Sequence, residues 1–239
     1  LLTAAFALVA ARGLWLPAAR PRLADGHSRT LLRVALLLGA VQVVNLASYR
    51  IELFMLRRFE GLAEIGVYSI TMQAAESIWL IPAALATAVT APAVHEVEEQ
   101  AARLVVQAAR RSLLLTAAVA AAVGVAAPFF IPLVLGEDFA GASLPLALLL
   151  PGVVAYAPVT VLVVYLSVRR GRPRLSLVVS LVGLAVTCTC AIPLIRAYGT
   201  GGAAVASSIG YAAGALLTWA FFVRLSGTGW LGRTRPAPL

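Results

Sequence analysis

Residues 113–135 read LLLTAAVAAAVGVAAPFFIPLVL, a run without a single charged side chain. About 20 apolar residues in helical form cross the hydrocarbon core of a bilayer. A helix satisfies its own backbone hydrogen bonds there, which a lipid-exposed loop cannot do. The acidic turn Gly136-Glu137-Asp138 closes the run on one side, and the polar stretch His95 to Arg111 precedes it on the other. In that stretch Val97, Ala101, Leu104, Val105 and Ala108 share one helical face, and Glu99 stands four residues before Arg103. The pattern predicts an amphipathic helix that lies at the membrane surface or extends the span.

The same reading extends outward in both directions. Upstream, spans are expected from about Leu31 to Leu56 and from about Ile65 to Val94, the latter interrupted by Pro82 and Pro92. Downstream, a span over about Leu144 to Val168 holds Pro145, Pro151 and Pro158 and should be kinked or broken. After the basic loop Arg169 to Arg174 come spans at Leu175 to Ile195 and Gly202 to Leu225, joined by the short glycine turn Tyr198 to Gly201. Leu1 to Leu16 is apolar but starts without the charged flank and cleavage site of a signal peptide. It reads as the end of a preceding transmembrane helix, which makes the chain a fragment. The expected organisation is therefore that helix end over 1–16, a cytoplasmic linker over 17–30, a six-span bundle over 31–225 and a basic cytoplasmic tail over 226–239.

Composition agrees. Of 239 residues, 61% are hydrophobic and 12% charged, with a mean hydropathy of +0.93. A soluble domain is about half apolar and about a quarter charged. These figures exclude an ordinary globular enzyme, a disordered chain and a disulfide scaffold, and leave an all-α polytopic membrane protein. The net charge of +9 does not mark a nucleic-acid binder, because base readout needs a soluble basic face. All 19 basic residues are Arg, and they divide by side. With the tail cytoplasmic, alternating spans leave only Arg57, Arg58 and Arg196 outside, Arg50 within a span, and every other Arg inside. That bias fixes the orientation.

Charge within a span is expensive, roughly 2.5–3.5 kcal/mol at the helix centre on insertion scales. Arg50, Glu52 and Glu76 carry it, with Gln42, Asn45, Tyr49, Gln73 and Ser77 around them. At about 1.5 Å per residue, Arg50 and Glu52 lie roughly 8–11 Å below the outer surface and Glu76 roughly 16 Å below it. Gln42, Asn45, Tyr49 and Glu52 follow helical spacing, as do Gln73, Glu76 and Ser77. Two polar stripes suggest a hydrophilic cavity. In one reading Arg50 meets an anionic substrate group while Glu52 or Glu76 balances it or carries a proton. In the other, Arg50 pairs with Glu76 or Glu52 and pins two helices together.

Other features read as packing. Gly202, Ala206, Gly210 and Gly214 form a small-residue stripe for close helix approach. Trp219, Phe221 and Phe222 read as an interfacial aromatic belt, and Trp79, too deep for one, as cavity lining or core. Cys188 and Cys190 are two ligands where structural zinc needs four. His27 and His95 sit in expected loops, and no HExxH, phosphate-binding loop, nucleophile elbow or CxxC pair is present. Neither an enzyme nor a cofactor is indicated.

Several stretches together resemble a family. They are Ser48 to Leu56 (SYRIELFML), Glu64 to Ser69 (EIGVYS), Ala75 to Pro82 (AESIWLIP), Leu133 to Gly136 with Phe139, Leu148 to Gly152, Arg170 to Pro173, and Gly199 to Ala204 followed by Gly210-Tyr211. Their order and spacing resemble the C-terminal half of a polysaccharide-biosynthesis (O-antigen type) flippase of the multidrug/oligosaccharidyl-lipid/polysaccharide exporter superfamily. The resemblance covers nearly the whole chain from Leu31. It implies a C lobe of six spans that works with an N-terminal lobe, absent from this sequence, to flip a polyprenyl-diphosphate-linked glycan across the bacterial cytoplasmic membrane by alternating access. It also implies that Arg50 and Glu52 occupy a basic-x-acidic position, where Asp is commoner than Glu, and that Glu76 occupies the acidic position ahead of the Trp. Asn45 and Gln73 complete the expected set of substrate-binding or ion-coupling residues. A drug/cation antiporter of the same superfamily and a non-transporting accessory subunit are the competing expectations.

Overall fold

The computed structural model describes residues 25–227. The stretch 1–16, most of the expected linker, the tail beyond residue 227 and the side chains of His27 and Tyr49 lie outside the described residues. Residues 25–36 are helical and group apart from residues 37–227, which form the bundle.

Helix α1 runs Asp25–Leu56, starting inside the expected linker because no proline occurs between Pro21 and Pro82 to stop it. A turn closed by Glu60 N–H on Leu56 O (2.8 Å) leads to α2, Leu62–Ile78, and α3, Leu80–His95. The break between them falls at Trp79, three residues before Pro82. Proline has no N–H for the carbonyl four residues back and its ring crowds it, so Pro82 is accommodated only in the first turn of a new helix. α4 spans Glu98–Leu135, with Glu98 and Glu99 at its positive N-terminus. The expected surface helix and fourth span are thus one continuous helix.

After a 3₁₀ turn at Glu137–Ala142 comes α5, Ser143–Val164, which ends in a π-helical turn at Tyr165–Arg169. α5 stays helical through Pro151 and Pro158, so of the kink or break expected there the break does not occur. Hydroxyls of neighbouring helices supply donors to its carbonyls: Ser208 to Leu148 O (2.8 Å) and Ser112 to Ala157 O (3.1 Å).

α6, Pro173–Ser226, is continuous in hydrogen bonding except at Gly199, whose φ of 55° and ψ of −132° are non-helical. A methyl group at Gly202 would overlap Leu194 O, and one at Gly210 would overlap the Thr187 hydroxyl, while Gly214 faces Val179. These partners separate from Gly199 in step, so residues 173–198 and 200–226 are antiparallel arms. The small-residue stripe is what lets them approach.

α5 lies at the centre, in contact with α2, α3, α4 and α6. One apolar core gathers Tyr68, Met72, Leu146, Leu149 and Ile195; a second gathers Val105, Leu162, Tyr165, Leu166 and Phe222. Phe222 is fully buried against Trp219 and Tyr165, so it belongs to this core and not to an interfacial belt. The exterior is apolar: Phe129 is 78% and Leu133 81% exposed. Five helical segments are long and apolar enough to cross a bilayer, and the described residues include no strand. Such a surface is compatible with a membrane-embedded protein.

Candidate functional site

Between α1 and the rest of the bundle runs an open cleft of about 460 Å³. Val41, Gln42 and Asn45 form its α1 wall, and Trp79 and Ala83 come from the α2–α3 junction. Tyr156, Val159, Thr160 and Val163 line it from α5, and Ser176, Val179 and Ser180 from the first arm of α6. It extends to Ser167 and Val168, beside the basic loop. There the Ser167 and Ser176 hydroxyls meet at 2.7 Å.

Asn45, Tyr156, Val179 and Ser180 also line a smaller pocket of about 20 Å³, room for a single water. Ser48, Glu52, Thr187 and Tyr211 close it. Trp79, Tyr156 and Tyr211 form an aromatic trio at the join, with Trp79 edge-on to Tyr211 at 5.5 Å and Tyr156 also 5.5 Å from Tyr211.

Glu52 is the innermost group, only 1% exposed. Its Oε2 accepts from the Tyr68 hydroxyl (2.6 Å) and its Oε1 from the Ser207 hydroxyl. Both donors are fully buried. A carboxyl withdrawn from water is tolerable only with such partners. Its bonds tie α1 to α2 and to the second arm of α6.

The expected site residues divide. Asn45 and Glu52, seven residues apart and on one helical face, meet in the small pocket. Arg50 is exposed and lines neither cavity, because two residues along a helix turn the side chain by about 200°. Gln73 is exposed and Glu76 half-buried on α2, and neither lines these cavities. Among the described residues the ion pairs are Glu99–Arg103, Glu98–Arg169 and Glu98–Arg170; none joins Arg50 to Glu76 or Glu52. Gln42 faces the cleft, and the Ser77 hydroxyl bonds Ala74 O within its own helix. Trp79 lines the cleft, one of the two expectations for it.

Tyr68, Tyr156, Ser180, Thr187 and Ser207 were not singled out from the sequence. One signal was available: an acid inside a span requires buried donors, which Tyr68 and Ser207 provide. A further polar cluster was also missed. At the end of the bundle that carries the basic loop, Glu98 accepts from the Tyr165 hydroxyl and pairs with Arg170 (2.8 Å) and Arg169 (3.4 Å). Arg169 also donates to Val94 O (2.6 Å) and Arg170 to Leu225 O, at the ends of α3 and α6. The π turn aims both guanidiniums; Arg170 N–H bonds Tyr165 O, five residues back (2.9 Å).

No three acidic, His or Cys side chains cluster as a metal site among the described residues, and Cys188 and Cys190 are free and half-buried. His95 is the exposed last residue of α3. Comparisons with protein-family profiles, with curated proteins and with solved structures gave no match.

Proposed function

We propose that this chain is the C-lobe bundle of a flippase that moves a polyprenyl-diphosphate-linked oligosaccharide across the bacterial cytoplasmic membrane by alternating access, with the C-terminus cytoplasmic and an N-terminal lobe as its partner. The observation that carries the reading is the cleft. Its α1 and α6 walls present Gln42, Asn45, Ser176 and Ser180, while α5 contributes mainly Val159, Val163 and Val164. A largely apolar cleft with amide and hydroxyl groups among its valines, and no carboxylate in its lining, suits an amphiphile with a sugar head and a hydrocarbon tail better than a small cation. Six crossings follow if the arms of α6 are counted apart. Each arm holds about 26 residues, or about 39 Å of helix, against a hydrocarbon core of about 30 Å.

The test is made in cells that carry the whole protein. Ser180→Leu and Asn45→Leu narrow the cleft, and Arg50→Ala probes the exposed charge. The expected result is accumulation of the lipid-linked precursor and loss of surface polysaccharide, with the protein still at normal abundance in the membrane. Unchanged polysaccharide in both cleft variants overturns the assignment. Loss of resistance to a cationic drug, with polysaccharide intact, favours the antiporter. The accessory-subunit reading draws on Glu52, whose hydrogen bonds join three helices. It predicts that Glu52→Gln lowers abundance while cleft variants have no effect on export.

A further inference from the structure

A second groove lies on a neighbouring face of α5, sharing Val159 with the cleft, between α4, α5 and the second arm of α6. It measures about 440 Å³ and is lined by Leu113, Pro158, Leu162, Leu216 and Trp219, with small alanines between them. None of its lining residues is charged. Its volume is about three times the roughly 150 Å³ cavity that takes benzene, so it accommodates an extended hydrocarbon segment.

Two observations identify the occupant. The first is depth: Trp219 stands seven residues before the end of α6 at Ser226, and Leu113 begins the uncharged run of α4. One end of the groove therefore falls at the level where Trp meets lipid headgroups. The second is charge. Arg110 and Arg111 are both exposed, three and two residues before Leu113, and helical phase turns Arg111 about 200° away from it. Arg110 and Leu113 are i,i+3 neighbours on the surface of α4. Helical side chains lean towards the N-terminus, so the guanidinium of Arg110 extends from the groove's end towards the headgroups. Among the described residues neither arginine takes part in an ion pair, whereas Arg103, Arg169 and Arg170 do. An apolar slot with an unneutralised cation, Arg110, at its interfacial end is complementary to a lipid with an anionic head.

We propose that this groove binds an acyl chain of an anionic bilayer phospholipid, whose phosphate is held by Arg110. This goes beyond the flippase reading and does not depend on it. The test is native mass spectrometry of the full chain released from detergent, after incubation with phosphatidylglycerol, phosphatidylcholine or a polyprenyl phosphate. Phosphatidylglycerol should be retained more strongly than the other two. Arg110→Gln should weaken that retention about fivefold, equivalent to about 1 kcal/mol, while Arg111→Gln, and Arg172→Gln with Arg174→Gln, leave it unchanged. Ala215→Phe, which fills the groove, should remove the preference.

Equal retention of phosphatidylglycerol and phosphatidylcholine overturns the proposal. So does an equal effect of the Arg172 and Arg174 changes, since that would mean general surface electrostatics. Stronger retention of the polyprenyl phosphate would give the groove to that lipid. A lipid-free dimer insensitive to Arg110→Gln would give it to a second copy of the chain. The arginine variants are exposed and keep the experiment decisive even if Ala215→Phe fails to fold.

Discussion

Glu52 has two buried hydroxyl donors, from Tyr68 and Ser207, and one carboxyl to receive them. Removing the acceptor strands both buried donors, each at a cost of about 1–3 kcal/mol. Glu52→Ala should therefore destabilise the detergent-solubilised protein by about 2–5 kcal/mol, read as a fall in the midpoint of thermal unfolding. Tyr68→Phe removes one donor and should cost about 1 kcal/mol, with non-additive energies in the double variant Glu52→Gln/Tyr68→Phe. An unfolding midpoint for Glu52→Ala equal to that of the parent would show that the carboxyl holds nothing together. The sequence made Glu52 visible as a costly residue in a span, but not its direction. Arg50 and Glu52 looked like a unit because they are adjacent in the chain, and helical phase separates them: one is exposed, the other enclosed. Donors on helices distant in sequence cannot be read from spacing along α1.

At the scale of elements, prolines and glycines set the outline, with consequences that depend on what packs against them. Pro82 produces the break at Trp79, as its missing N–H requires, yet α5 passes through Pro151 and Pro158 unbroken. The Ser208 and Ser112 hydroxyls bond Leu148 O and Ala157 O, not the Ala147 and Val154 carbonyls that these prolines leave without an N–H. The glycine turn at Tyr198 to Gly201 was legible, and its pivot is Gly199. There a positive φ combines with a ψ of −132°, a conformation that side chains avoid. A Cβ at this position would also lie 2.9 Å from a Glu60 carboxyl oxygen. Gly199→Val should cost about 1–3 kcal/mol and increase proteolysis between the two arms of α6. Wild-type resistance to protease would mean that the turn tolerates a different backbone. Gly136, also at positive φ, has nothing within 4 Å of the added Cβ, so Gly136→Ala should be milder by the steric part of that cost.

For the whole molecule, apolar runs and arginine placement state a topology that the folded chain makes testable. If the arms of α6 cross separately, Arg58, Asp138 and Tyr198 lie on one face of the membrane and Glu99 and Arg172 on the other. Arg58, Asp138, Tyr198, Glu99 and Arg172 are all exposed, so each accepts a cysteine without disturbing the core. With Cys188 and Cys190 replaced by alanine, single-cysteine variants can be treated in intact cells with a membrane-impermeant maleimide. Arg58→Cys, Asp138→Cys and Tyr198→Cys should react, while Glu99→Cys and Arg172→Cys should react only after the membrane is opened. The arginine bias supplies the expected sign: the face rich in Arg should be the one protected in intact cells. Reaction of Tyr198→Cys together with Arg172→Cys would mean that α6 does not return through the bilayer at Gly199. The count would then drop to five crossings, and the two ends of the bundle would lie on opposite sides of the membrane. The Glu98–Arg170 cluster gives an independent reading of the same geometry. It joins the ends of α3 and α6 to the start of α4, so all three must lie at one membrane face. Only an even number of crossings from the turn after Leu56 to Gly227, less the one made by α2 and α3, brings Val94 and Leu225 to the same side. A return through the bilayer at Gly199 would supply the crossing that makes it even.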